Sequence, residues 1–112
     1  MMKVAKQEFD KQYRLTFFET KDGDNIYTTY ITYYKNSFRM SEETNFINGN
    51  LESKFYYDEK GRIVMMKNCI KNNYIIFAYD DNWSRNKPAF QFHYNENDEI
   101  KAEYHYGEEV AA

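Results

Sequence analysis

Two histidines, one cysteine and a scatter of carboxylates are the residues of this chain best suited to ligate a metal or carry a proton. One metal needs both imidazoles to converge. If Glu96–Asn97 tips a hairpin, His93 pairs with Ile100 and His105 with Pro88, and the two rings leave opposite faces of the ribbon. His93 then shares a side with Ala102 and Tyr104, and His105 with Phe90 and Phe92. Cys69, in a strand-like run beside Met66 and Ile70, suits a small buried hydrophobe better than a thiolate nucleophile. Ser37, Ser41, Ser53 and Ser84 stand in no nucleophile motif, and no glycine-rich phosphate loop is present. The carboxylates fall mostly in turns. The expectation is a protein without catalytic residues, metal or cofactor, hence not an enzyme.

The elements that hold these residues are strands. Aromatic residues make 20% of the 112, with 12 Tyr, 9 Phe and 1 Trp. Tyrosine depresses the mean hydropathy to −0.94 while still offering a large apolar ring. The period is two: Tyr13, Leu15 and Phe17 alternate with Arg14 and Thr16, and Tyr27, Ile31 and Tyr33 alternate with Ile26, Tyr30 and Tyr34. With one proline and four glycines, turns must draw on Asn and Asp, which tolerate left-handed backbone. Asn48-Gly49 is a strong two-residue hairpin signal. Asp58-Glu59-Lys60-Gly61 suits a type I turn closed by a glycine bulge, setting Tyr57 opposite Ile63, Phe55 opposite Met65 and Asp58 opposite Arg62.

These patterns predict one mostly-β domain over 1–112, an antiparallel up-and-down meander of about eight strands, as a curved sheet or a small barrel. The expected strands are 12–20, 25–35, 37–47, 50–58, 62–70, 74–80, 89–95 and 99–106. Residues 1–11 carry a loosely helical spacing (Val4, Ala5, Glu8, Phe9) and read as a short helix or an arm, with a frayed tail or an early strand as the other reading. Residues 107–112 read as a tail.

The phrase FYYDEKGRIV at 55–64 resembles the YD repeat of Rhs-type proteins, through Tyr57-Asp58, Gly61, Arg62 and Ile63. Shorter echoes keep Tyr79-Asp80 with Arg85, and Tyr94-Asn95 with Ile100. The resemblance covers about a tenth of the chain. It implies hairpins and carries no activity. The phrase starts Phe55, Phe77 and Phe92 are unequally spaced, which counts against a fixed-period solenoid.

Net charge is −3. The acids concentrate at 96–109, where Lys101 stands against six carboxylates, leaving the remainder slightly positive. That balance disfavours a general nucleic-acid binder. A lone cysteine excludes an internal disulfide, and neither a leader pattern nor an 18-residue apolar run is visible, so the cytoplasm is expected, with no membrane partner.

Aromatic surface in excess of one small core points to recognition. The function expected is non-catalytic protein binding, with a homodimer as one form of it. A phage or mobile-element inhibitor, or an immunity-type protein acting on a host protein, belongs to that class. The contact candidates are Tyr27, Tyr33 and Tyr56 on an outer face, Trp83 in the longest loop, and Glu99 and Glu103 on the acidic hairpin. Trp83 serves either as an interface anchor or as a plug over a barrel end. Two alternatives are single-stranded nucleic acid stacked on an aromatic sheet face, and a small ligand held inside a barrel.

Overall fold

A computed structural model describes residues 3–110. Ten strands follow one another along the chain: β1 Lys3–Phe9, β2 Leu15–Asp22, β3 Asn25–Tyr33, β4 Met40–Ile47, β5 Asn50–Tyr57, β6 Ile63–Asn68, β7 Asn73–Ala78, β8 Phe90–Tyr94, β9 Ile100–His105 and β10 Glu108–Val110. All belong to one antiparallel sheet whose spatial order is the sequence order. There is no helix among the described residues.

The meander is as expected, with two strands more. Both additions lie at the termini. Residues 3–9 follow the early-strand reading and not the helix: they form an edge strand, whose backbone pairs with β2 from Lys3↔Lys21 to Phe9↔Leu15. Ladder hydrogen bonds to a ready-made neighbour outweigh a weak helical spacing in so short a segment. Within the expected tail, Glu108–Val110 pairs with β9. The rest of both segments, residues 1–2 and 111–112, lies outside the described residues.

The sheet does not close. β1 pairs only with β2 and β10 only with β9. Only strands adjacent in sequence touch. The molecule measures 46 × 33 × 26 Å, with a radius of gyration of 16.4 Å. A compact chain of this length would have about 13 Å. It is a single twisted layer, so there is no barrel lumen for a ligand and no barrel end for Trp83 to plug.

A single layer cannot bury much. Among the described residues only Phe17, Ile31 and Ala89 are buried hydrophobics, joined by Thr20 and Thr29. No large side chain is fully enclosed. Cohesion comes from cross-strand pairs such as Phe17 against Tyr30, with ring centroids 4.9 Å apart, and Tyr74 stacked on Tyr94 at 4.7 Å.

The turns behave as their residues require. Asn48 and Gly49 are both left-handed, with φ 50° and 82°, as a two-residue hairpin needs. Gly61 takes φ 83° in the predicted bulge position. Bulges shift some of the expected pairs. Tyr57 opposes Ile63 as predicted, but Phe55 meets Met66 because the register slips between Tyr56 and Tyr57. Cys69 is not mid-strand: it lies in the turn after β6, half-buried, its amide donating to the Glu52 carbonyl at 2.8 Å.

Candidate functional site

Alternate hairpin turns gather at the two ends of the sheet. One end holds the turns 10–14, 34–39, 58–62 and 79–89, with 106–107 beyond them. The other holds 23–24, 48–49, 69–72 and 95–99.

The first end is built around two copies of one device, a clasp of Asp, Arg and Tyr. In turn 58–62, the Asp58 carboxylate accepts the amides of Lys60 and Arg62, both at 2.9 Å, and the Arg62 Nε at 2.8 Å. The Arg62 guanidinium lies 4.3 Å from the centroid of the Tyr79 ring, and the Tyr79 hydroxyl donates to the Ile63 carbonyl at 2.6 Å. In turn 10–14, 48 positions earlier, Asp10 accepts the amides of Gln12 and Arg14 and the Arg14 Nε. Arg14 lies 4.9 Å over Tyr33, whose hydroxyl donates to the Leu15 carbonyl at 2.6 Å.

Three of the four arginines also reach the next turn along the row. Arg14 donates to the carbonyls of Tyr34 and Ser37, Arg39 to that of Lys60, and Arg62 to the Asp81 carboxylate and the Arg85 carbonyl. The Tyr34 hydroxyl donates to the Tyr57 carbonyl, and the Tyr106 hydroxyl to Asp80. Successive turns are thereby stapled side by side.

The charges are tuned accordingly. Burial pushes the Asp58 carboxyl up, but the Arg62 amide, the Arg62 guanidinium and the Lys60 amide together hold it below the usual carboxylate range. The Arg14 amide, against an opposing push from burial, does the same for Asp10. Lys60 and Arg62 lower Asp81. Burial raises the Tyr33 and Tyr79 phenols.

The sequence signal for the first copy was present in Phe9-Asp10-x-x-Tyr13-Arg14-Leu15 but masked. Tyr13 occupies the place of Gly61, with φ 62°, and the preceding residues suggested a helix. The turn at 95–99 is a third variant: Asn95 caps the amides of Asn97 and Glu99, and Asp98 takes φ 61°. The recurring unit is a pair of hairpins, so aromatic spacing within single hairpins concealed it.

The candidate contact residues are dispersed. By alternation, Tyr27 and Tyr33 share a face, but Tyr56 stands on the opposite one: it pairs with Glu42, which pairs with Thr32, the neighbour of Tyr33. Tyr33 is engaged in the first clasp. Trp83 is 42% exposed and meets the Tyr106 ring edge-on at 5.2 Å. Glu99 is exposed and accepts from the Asn95 amide, which lowers its carboxyl. Glu103 lies half-buried on β9, 3.2 Å from His105 Nε2. The histidines do leave opposite faces, but a register shift changes their partners: His93 pairs with Ala102 and His105 with Phe90. No metal-ligating cluster is found among the described residues.

What the structure does assemble is a panel on one face of β6–β9. Met65, Ile76 and Phe92 form one cross-strand row, and Tyr74, Tyr94 and Ile100 the next. Lys67 continues the second row and Glu103 the first, so the apolar centre has charged margins. No other strand among the described residues covers it.

No protein-family model matches the chain, and no curated protein does. Among solved structures, a crystal structure of an S. aureus TarM mutant in complex with Fondaparinux, α-GlcNAc-glycerol and UDP is similar over 93% of this chain, with 11% identity and a TM-score of 0.37. The chain spans 19% of that protein's length.

Proposed function

We propose that the protein is a non-catalytic module that binds another protein, through the β6–β9 panel. The observation that supports this reading is the single layer itself. A sheet normally buries at least one face against a second layer, and among the described residues neither face has one. The panel combines stacked tyrosines and aliphatic side chains at its centre with Lys67 and Glu103 at its margin, the composition of a contact surface. Ile76 and Ile100 are 36% and 49% exposed, so both are available to a partner.

The test is quantitative affinity capture from the source cells, comparing the unaltered chain with Ile76→Lys and Ile100→Lys, and with Tyr27→Ser on the other face as a control. Loss of the same captured protein in both lysine variants, with retention in the control, is the expected result. Capture that ignores both substitutions would remove the panel as the contact surface. Sedimentation of the purified chain separates a second copy from a foreign partner.

A further inference from the structure

The two ends of the sheet differ in chemistry. The turns 10–14, 34–39, 58–62 and 79–89 carry eight of the fifteen basic residues, including all four arginines. The turns at the opposite end contain Lys71 alone. The exposed apolar side chains divide in the same way. Tyr13, Phe38, Trp83 and Tyr106 stand at the basic end, 86%, 74%, 42% and 46% exposed. Near the other end the exposed residues are aliphatic: Ile26, Leu51, Ile70 and Ile100.

Not all of that positive charge is consumed by the fold. Asp10, Asp58 and Asp81 are paired to Arg14, Arg62 and Lys60. Lys11, Lys35, Arg39, Arg85 and Lys87 are exposed and make no ion pair among the described residues. They stand against exposed Glu59, half-buried Asp80 and, just past the 106–107 turn, exposed Glu108. An open polar cleft of about 430 Å³ between the third and fourth turns is lined by Lys60, Arg62, Asp81 and Arg85, of which Asp81 pairs with the first two and leaves Arg85 unpaired among the described residues.

Two of the aromatics sit where the backbone disfavours them. Tyr13 has φ 62° in the position that Gly61 fills in the equivalent turn, and Tyr106 has φ 52°. A bulky residue in the left-handed region is strained. Tyr13 is also almost fully solvated, so packing does not offset that strain. Fold stability accounts for neither its type nor its exposure.

From this segregation we infer that the basic turn row is a binding track for single-stranded nucleic acid, running across the strands. Consecutive turns of the row are two strands apart, about 10 Å, so the four turns together span about 30 Å. Exposed rings interleaved with cations suit unpaired bases and the phosphates between them. The overall charge of −3 hides the track because its four turns hold eight cations against five carboxylates, while the rest of the chain holds seven cations against thirteen. This surface is separate from the β6–β9 panel and does not depend on it.

Trp83, the sole tryptophan, is a built-in reporter. Titration with an oligothymidylate at low salt should quench its emission saturably, and binding should weaken steeply as salt is added. Tyr13→Gly and Phe38→Ala should each weaken binding about tenfold, the scale of one lost base stack, with the circular dichroism spectrum unchanged. Lys35→Glu with Lys87→Glu should lower both affinity and salt dependence. Ile76→Lys should leave this titration unaltered, separating the track from the panel. The inference is overturned by an absence of binding at low salt. It is equally overturned by full affinity in both aromatic variants, or by heparin or duplex DNA binding as tightly as the single strand.

Discussion

The guanidinium of Arg62 rests 4.3 Å from the ring centroid of Tyr79, and the hydroxyl of that same tyrosine closes the unit by donating to the Ile63 carbonyl. One side chain is thus held through both its π face and its tip. The Arg14–Tyr33 pair repeats the arrangement at 4.9 Å. In a layer without a deep core, such contacts carry stability that packing would otherwise supply.

Removing the hydroxyl tests this directly. Tyr79→Phe and Tyr33→Phe each delete one hydrogen bond to a backbone carbonyl while sparing the ring that carries the arginine. Each variant is expected to lose about 1 kcal/mol, read as a lower urea midpoint with unchanged slope. Equal losses would show that the two copies are energetically equivalent.

Tyr13→Gly is expected to act in the opposite direction. Glycine removes the left-handed strain at φ 62° and forfeits little burial, since Tyr13 is 86% exposed. The gain is about 1 kcal/mol, reduced by the greater freedom of glycine in the unfolded chain. Thermal melting measures it. Gly61→Ala is the converse: its φ is 83°, and a Cβ there would lie 2.8 Å from Arg39 Nη1, so the alanine should destabilise the turn and displace Arg39 from the Lys60 carbonyl.

Acid should loosen the clasp end first. Asp10, Asp58 and Asp81 are all held below the ordinary carboxylate range on folding. The unfolded chain therefore takes up protons more readily. Their contribution is complete above the unfolded value, near pH 4, and is lost as pH falls through the lower folded values. Asp58→Asn should lower stability at neutral pH and flatten this acid dependence, as followed by urea midpoints across a pH series.

Hydrogen exchange should be graded across the sheet. β1 is exposed along its whole length and β10 has three residues, each with a neighbour on one side only. Their amides should exchange fastest, and those of β3–β6 slowest. Uniform protection from edge to edge would contradict the single-layer description.

Alternation, Asn-Gly and Asp-x-x-Gly made most of the meander readable in the sequence. They fix backbone geometry within a few residues, which is the scale on which a hairpin is decided. Register was less legible. A bulge depends on how two strands twist together, so Phe55 found Met66 and His93 found Ala102. The first clasp was hidden because Tyr13 replaces the expected glycine. The number of layers was invisible for a different reason: Tyr and Phe on both sides of a strand suit a sheet covered twice as well as one covered nowhere. Glu99 and Glu103 lie on the β8–β9 hairpin as expected, Glu103 on β9 but Glu99 in the turn instead of at the start of the strand, whereas the polarity of the two turn rows emerged only once odd and even turns were separated by the topology.

Because every strand bonds only to its immediate neighbours in the sequence, each ribbon can zip shut as soon as its second half leaves the ribosome. No pairing waits for a distant segment to be synthesised. The sheet can grow outward from its first hairpin, and an arrest at any even strand would leave a shorter sheet of the same kind.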